Sequence, residues 1–489
     1  MTKSIPHEAS LFTVAQMSEA DRLAEASGQS EAALIEAAGR AIAEEVFAHF
    51  TPGSVLVMAG PGNNGSDGIV AARHLRALGW PVEVALHPQR DLARQPAWDG
   101  VAAALDAAAI DRGDIIIDAL FGAGLSRPLD PATSALVDKL AKRRDCVVAV
   151  DVPSGLSGDT GQPMGACIHA AMTVTFWRKK PGHLLWPGRQ YCGTVIVRDI
   201  GISSAILAAV AGDFAENEPA LWREHYPWPR ADTHKYRRGH ALVVCGPIDK
   251  SGAARLAARA ALRAGSGLVT LLLAEDTLRS LAPSLNAVMV EACDGVSDLM
   301  TSLNDARRNA ILLGPGSGVG DKTQAMVLAA LSRRRLVVLD ADALTAFAAY
   351  PDELFGAIES PCVLTPHEGE FQKLFPDLSG DRVSRVQRAA ERSHAIVLLK
   401  GPDTVVASPD GRVSINAHAS PWLATAGSGD VLAGLVLGLA AQGMPPFEAA
   451  SAAVWLHGDL GLRLGPGLIA DDLPDALPAT LRQLQSGWP

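Results

Sequence analysis

Several common devices are missing from this 489-residue sequence, and each absence narrows what it can be. No two cysteines stand at CxxC spacing: Cys146, Cys167, Cys192, Cys245, Cys293 and Cys362 are scattered. That excludes a zinc-ribbon site and a disulfide framework, and predicts reduced, mostly buried thiols. Positive charge is not in excess. With 43 Lys and Arg against 53 Asp and Glu, the formal net charge is -10, and no basic arm interrupts the chain. A nucleic-acid surface is therefore not expected. No apolar run reaches membrane-spanning length, and the opening MTKSIPHEASLF lacks the apolar core of a signal peptide. A cytoplasmic protein with no membrane partner is the expectation.

What the chain does have is 48% hydrophobic and 20% charged residues, enough for large cores. Its length predicts two or three domains. Residues 14–50 are rich in Ala and Glu and predict two helices, the second with Leu34, Ala37, Ala38, Ala41, Ile42 and Val46 at helical spacing. Short apolar strands then alternate with glycine turns and helices. The strand 54–59 runs into Gly60-Pro-Gly-Asn-Asn-Gly-Ser-Asp-Gly68 and a helix expected over 69–78. Strand, glycine turn and helix is the geometry that offers backbone N–H groups to a nucleotide. Yet this turn is neither GxGxxG nor a P-loop, since no Lys-Ser/Thr follows. Its two amides and carboxylate suit a ribose, an amide or a hard cation better than a bare triphosphate. Two further strand ends carry Asp118, before Gly122-Ala-Gly-Leu-Ser-Arg-Pro128, and Asp151, before Val-Pro-Ser-Gly155. Ligands of a doubly wound sheet lie outside the carboxyl ends of its strands, so these ends make one site. Oxygens on Asn64, Asp118 and Ser154 would serve a single hard cation. Taken alone, Asp151-Val-Pro-Ser-Gly155 reads equally as an ordinary turn.

Beyond Ile206 the pattern dissolves. Residues 216–239 carry prolines, charges and aromatics without an apolar period, which predicts a linker between domains at residues 1–222 and 223–489. A second α/β series starts at His240, with Gly, Asp, His and Lys at its strand ends. Two three-layer α/β units, each with its own largely parallel sheet, are the expected fold. The stretch that organises the second is ATAGSGDVLAG, from Ala424 to Gly434. Gly427, Ser428 and Gly429 lead into Asp430, and the apolar run behind them ends at Gly443 and two prolines. A run apolar on every side predicts a buried helix with Asp430 in its first turn. Free N–H groups there bind anions, phosphate above all. A carboxylate repels phosphate at that place, unless it takes a proton from an attacking hydroxyl while the N–H groups hold the transferring charge. As a plain helix-terminal acid it would be unremarked. Lys400, followed by Gly401 and Thr404, suits phosphates or an adenine ribose.

These motifs carry a family resemblance. GPGNNGSDG, DALFGAGLSRP and VDVPSG are similar to the NAD(P)H-hydrate epimerases; TPHEGE, KGPDT and ATAGSGDVLAG resemble the ribokinase-like ADP/ATP-dependent NAD(P)H-hydrate dehydratases. In this order they resemble the bifunctional NAD(P)H-hydrate repair enzymes. The resemblance implies a Rossmann-like N-terminal domain that binds the damaged cofactor through Asn63, Asn64, Gly65, Ser66 and Asp67. Gly122, Ala123, Gly124, Leu125, Ser126, Arg127, Pro128 and Asp151 would complete that site. A potassium ion on Asn64, Asp118 and Ser154 is implied, with Asp151 and Lys180 transferring the proton. In a ribokinase-like C-terminal domain, Ala253, Gly318, His367 and Asp430 would face the hydrated cofactor. Lys400, Gly401, Pro402, Asp403, Thr404 and Gly429 would hold ADP, and Asp430 would be the base. Ser66 stands where the epimerases usually have Gly, and Ser428 where the kinase-like proteins often have Thr; both are small. The implied partners are NADHX, NADPHX and ADP, with magnesium on the phosphates, in a homo-oligomer. Two rivals remain open: a ribokinase-like vitamin kinase, and an N-terminal half that only binds nucleotides.

Overall fold

The computed structural model describes residues 5–91 and 96–487, so the first four residues of the opening stretch lie outside it. The chain divides into two compact units, Ser10–Phe214 and a second made of Met1–Ala9 with Ala215–Pro489.

The first unit is built on β1 (Val55–Ala59), β2 (Val82–Leu86), β3 (Val101–Ala104), β4 (Ile115–Ala119), β5 (Val147–Val150), β6 (Met172–Phe176) and β7 (Thr194–Arg198). Their order is β3-β2-β1-β4-β5-β6-β7, parallel throughout. Successive residues point to opposite faces, and both faces are covered. Val55, Val57, Ile115 and Ile117 pack into one core, Leu56, Met58 and Ile116 into another. Hence the central strands read as unbroken apolar runs. The strand order reverses between β1 and β4, which places a crevice beyond their carboxyl ends. Sequence reasoning missed β2 and β3; β3, Val-Ala-Ala-Ala, is mostly exposed at the edge and has no apolar face to betray it.

The helix expected from residue 69 starts earlier, at Asn63, and runs to Ala77. Most of the glycine segment is thus its first turns. Those glycines allow close approach: a Cβ on Gly65 would lie 2.1 Å from the Gly60 oxygen, and one on Gly68 2.5 Å from the Ala119 Cβ.

The second unit contains β8 (Phe214–Glu216), β9 (His240–Val244), β10 (Leu268–Leu273), β11 (Met289–Ala292), β12 (Arg308–Leu313), β13 (Leu336–Leu339), β14 (Cys362–Leu364), β15 (Ile396–Leu399), β16 (Thr404–Ala407) and β17 (Val413–Asn416). The sheet order is β11-β10-β9-β12-β13-β14-β15-β16-β17-β8. Pairing is parallel from β11 to β15 and antiparallel through β16 and β17. The reversal falls between β9 and β12. The expected linker at 216–239 is not a bare connector. Asn217 N donates to Ile415 O at 2.8 Å, and Trp222, 1% exposed, packs against Trp455. Aromatic anchors spaced without a period do not announce themselves as core. Ile5 and Ala9 are buried in the same cluster. The chain enters and leaves the first unit at one place, where Leu11 N donates to Phe214 O at 2.9 Å.

The helix Ser428–Ala441 is buried along nearly its whole length, as its sequence implied. It lies against the helix Ser251–Arg263 so closely that a Cβ on Gly434 would meet the Ala257 oxygen at 2.2 Å, and one on Gly438 the Ala261 oxygen at 2.5 Å. Gly434→Ala is expected to cost ~1–3 kcal/mol through overpacking. Thermal unfolding checks this, and an unchanged Tm would mean that the two helices separate freely. No described helix is long and apolar enough to cross a membrane, and all six cysteines are free.

Candidate functional site

Beyond the carboxyl ends of β1, β4 and β5, the first unit holds a cavity of about 680 Å³. Its wall takes Asn63, Asn64 and Asp67 from the helix start, Gly122, Ala123, Gly124, Leu125, Ser126 and Arg127 from the loop after β4, and also Asp151 and Lys180. Three of the expected ligand residues, Gly65, Ser66 and Pro128, do not line it. Gly65 packs on Gly60, and the Ser66 hydroxyl accepts from Arg90 Nη2 at 2.9 Å. Arg90 also donates to the Gly60 and Gly62 carbonyls, pinning the turn from within; sequence reasoning had missed it.

Asp151 adopts a left-handed φ of 65°, a costly conformation for a residue with a side chain. Four contacts over-determine it. Its Oδ1 accepts from Lys180 Nζ and from Thr175 Oγ1, its Oδ2 from Ala123 N at 3.2 Å, and its carbonyl from His183 Nε2 at 2.9 Å. Lys180, with its side chain 2% exposed, gives a further bond to Thr175 Oγ1 at 2.9 Å. His183 Nδ1 accepts from Lys180 N at 3.0 Å, which leaves the proton on Nε2. Burial, then the charge of Lys180, pushes the His183 imidazole down to about 4, so this neutral form persists. For Asp151, burial alone would raise the carboxyl. The Lys180 ammonium and its hydrogen bond outweigh burial and hold the group below the ordinary carboxylate range.

Asp118 is wholly buried at the end of β4. It accepts from Ser154 Oγ at 2.7 Å, Ser154 N at 2.8 Å and Leu120 N at 3.3 Å. Among the described residues no cationic side chain pairs with it, and burial pushes its carboxyl up to about 6. A buried carboxylate without a countercharge suits a bound cation. Asn64 approaches the same loop, its Oδ1 3.0 Å from where a Gly122 Cβ would stand, and its Nδ2 is buried without a partner. Because amide O and N exchange places freely in assignment, that orphaned end reads equally as an acceptor. Two more acids share the cavity. Burial, then the Asp151 charge, raises Asp67 well above the usual range, and burial pushes Asp21 up to about 6. Asp21 stands on the helix Val14–Ala26, whose sequence reads only as amphipathic.

In the second unit, Asp340 follows β13 and Lys400 follows β15. Lys400 Nζ donates to Asp340 Oδ1 at 2.7 Å and lies 3.9 Å from Glu370 Oε2. Burial would lower this ammonium's pKa, but the two carboxylates outweigh it and raise it. His367 bridges Lys400 through the backbone and caps the helix Glu368–Leu374, its Nδ1 accepting from Gly369 N at 3.0 Å and Glu370 N at 3.2 Å. The proton therefore sits on Nε2. Gly427, at φ 86°, turns the chain into the helix Ser428–Ala441, a conformation that glycine adopts without strain. Ser428 Oγ meets His457 Nε2 at 2.9 Å, and burial pushes the His457 imidazole down to about 4. A Cβ on Gly429 would lie 3.7 Å from Lys400 Nζ, so the helix start adjoins the lysine. Burial, then the Asp340 charge, pushes the Asp430 carboxyl up to about 6, against the pull of Lys400. Gly318 N donates to Asp342 Oδ2 at 2.8 Å, and Ala253 lies in the first turn of the helix Ser251–Arg263. Asp403 and Thr404 turn inward instead. Asp403 is buried against Arg382, and Thr404 Oγ1 closes on Gly401 O at 3.0 Å, while Gly401 and Pro402 stay exposed.

A buried acid–lysine pair over a Rossmann-like crevice, and a helix-start carboxylate beside a strand-end lysine, define a two-unit α/β enzyme of nucleotide chemistry. Residues 241–479 match the family described as NAD(P)H-hydrate dehydratase, and residues 31–182 the YjeF-related protein N-terminus. The bifunctional NAD(P)H-hydrate repair enzyme Nnr of Moorella thermoacetica is 36% identical over 97% of this chain and 97% of its own length. That of Thermofilum pendens is 35% identical over 95% and 94%. An ADP/ATP-dependent NAD(P)H-hydrate dehydratase of Bacillus subtilis, crystallised with ATP and magnesium, is 31% identical; it aligns with 55% of this chain and 98% of its own, at a TM-score of 0.49. The chain belongs to the family of bifunctional NAD(P)H-hydrate repair enzymes.

Proposed function

We propose that the first unit interconverts the R and S hydrates of NAD(P)H, and that the second dehydrates the S form with ADP, giving NAD(P)H, AMP and phosphate. Relatives that align through both halves favour this over a vitamin kinase fused to a binding module. The observation that carries the reading is Asp430, at a helix start beside Lys400, with its carboxyl pushed up to about 6. Such a base works near neutral pH, next to N–H groups that hold phosphate charge. The ring hydroxyl would lose its proton to Asp430 as its oxygen bonds to the β-phosphorus of ADP and the bond to AMP breaks. Phosphate would then leave with that oxygen, a ring proton would be lost, and the double bond would return. Lys400, Gly401, Pro402 and the Gly429 N–H are assigned to the nucleotide; Asp403 and Thr404 shape that loop from within. His367, through its Nε2 proton, Gly318 and Ala253 are assigned to the hydrated ring. Asp340 and Asp342 offer the hard oxygens that magnesium prefers, and magnesium would supply charge screening for the phosphates.

In the first unit, Asp151 is assigned as base and Lys180 as acid, since Asp151 and Thr175 leave one Lys180 N–H for the cavity. Potassium would sit on Asp118, Ser154 and Asn64 and supply the countercharge that Asp118 lacks. A mixture of R and S hydrates of NADH, given ADP, should recover its full absorbance in the NADH band. Failure with both ADP and ATP would sink the reading.

Two predictions arise here. Lys400→Ala should weaken ADP binding about 10-fold or more, the loss of a charge-assisted contact, with less effect on hydrated NADH. Calorimetry decides, and unchanged ADP affinity would make Lys400 purely structural. Potassium should raise the Tm of the unmutated protein relative to a bulky organic cation, and should do nothing for Asp118→Ala. Equal Tm values in both salts before mutation would remove the cation site.

A further inference from the structure

One large groove of the second unit lies outside the residues assigned to the ring and to ADP. It encloses about 750 Å³ between the helix Ser251–Arg263 and the segment from Ser284 to Val288, and Arg255, Arg259 and Arg263 line it with Leu256 and Leu285. The arginines stand four residues apart, so they form one row along ~12 Å of helix. Arg259 and Arg263 share Asp475, but no carboxylate among the described residues pairs with Arg255.

The groove adjoins the Asp430 turn. A Cβ on Gly427 would lie 2.7 Å from Leu256 Cδ1 and 2.9 Å from the Ala470 Cβ. Leu256 lines the groove, and so does Asp471, the neighbour of Ala470. Ala253 precedes Arg255 by two residues on the same helix. One continuous wall therefore runs from the reactive turn to the arginine row.

A hydrated dinucleotide carries its reactive ring at one end and a diphosphate with adenosine at the other. Lys400 and the Gly429 N–H suit the phosphates of ADP, which leaves the diphosphate of the dinucleotide to be held elsewhere. We propose that the arginine row holds this diphosphate–adenosine arm, with Arg255 on the phosphates and Leu256 and Leu285 against the adenine. The proposal rests on reading the second unit as the dehydratase. A planar guanidinium free of a carboxylate partner grips phosphate oxygens bidentately.

The test is steady-state dehydration by the full chain with Arg255→Glu and Arg255→Gln. Two substrates are compared: the S hydrate of NADH, and the hydrate of reduced nicotinamide riboside, which has the ring but neither phosphate nor adenosine. Each variant should raise KM for the dinucleotide by about 10-fold or more, as for a lost charge-assisted contact, and leave kcat and the KM for ADP within about two-fold. The riboside hydrate should not notice the change. Equal losses on both substrates, a raised KM for ADP, or no change at all would each overturn the proposal. An unmutated protein inactive on both hydrates would instead remove the dehydratase reading beneath it.

Discussion

Replacing Asp430 with asparagine should stop ADP-dependent dehydration while ADP still binds. The side chain keeps its shape and its place in the first helical turn, so the N–H groups and Lys400, proposed to hold the nucleotide, are undisturbed. What disappears is the proton acceptor, and general-base loss costs ~10²–10⁴ in rate. The unmutated enzyme adds a second signature. Asp430 must be ionised to act, and burial with the neighbouring Asp340 has raised its carboxyl to about 6. Dehydration should therefore fall as pH drops through about 6, and that limb should vanish in the residual activity of Asp430→Asn. Turnover near that of the unmutated protein would remove Asp430 from the chemistry.

Lys180→Met should abolish epimerisation and loosen the first unit together. The lysine side chain is 2% exposed and that of Asp151 18%, so removing the cation strands a carboxylate in a site built around the pair. Breaking a buried pair from one side costs ~3–5 kcal/mol. The pH dependence has a definite sign. In the intact protein the Asp151 carboxyl is held below its unfolded value, so the pair adds stability above that value and loses it as pH falls through the folded one. The deficit of Lys180→Met should accordingly be largest at neutral pH and narrow in acid, once Asp151 is protonated. Adding Asp151→Asn to Lys180→Met should restore part of the Tm without restoring activity. A double variant no more stable than Lys180→Met would mean that the pair is not what holds this corner.

Some of this was legible in the residues. Asp430, Lys400, Asp151 and Asp118 all stand at strand or helix ends beside glycines, where the chain must turn and ligands approach, and each was placed from its neighbours. The central strands declared themselves as unbroken apolar runs because both faces of each sheet are covered. Other features lacked a local mark. Arg90, Thr175 and His183 act through partners 24 to 32 residues away, and no spacing rule reaches across a sheet. Asp21 sits on a helix like any surface acid until a cavity closes over it. The segment 216–239 misled for a related reason, since Trp222 is an anchor that packs against Trp455, more than 200 positions later.

The division between Phe214 and Ala215 bears on what cutting the chain would do. Cleavage after Phe214 severs one of two crossings, but the upstream piece still carries Ile5 and Ala9, which are buried with Leu221 and Trp222 in the downstream piece. The two fragments should travel as one species on a sizing column and part only on a denaturing gel. Fragments ending at 222 and starting at 235 would instead strip β8 and Trp222 from the unit that needs them. Ile5 and Ala9 thus work as a rivet, holding by burial what the peptide bond no longer joins.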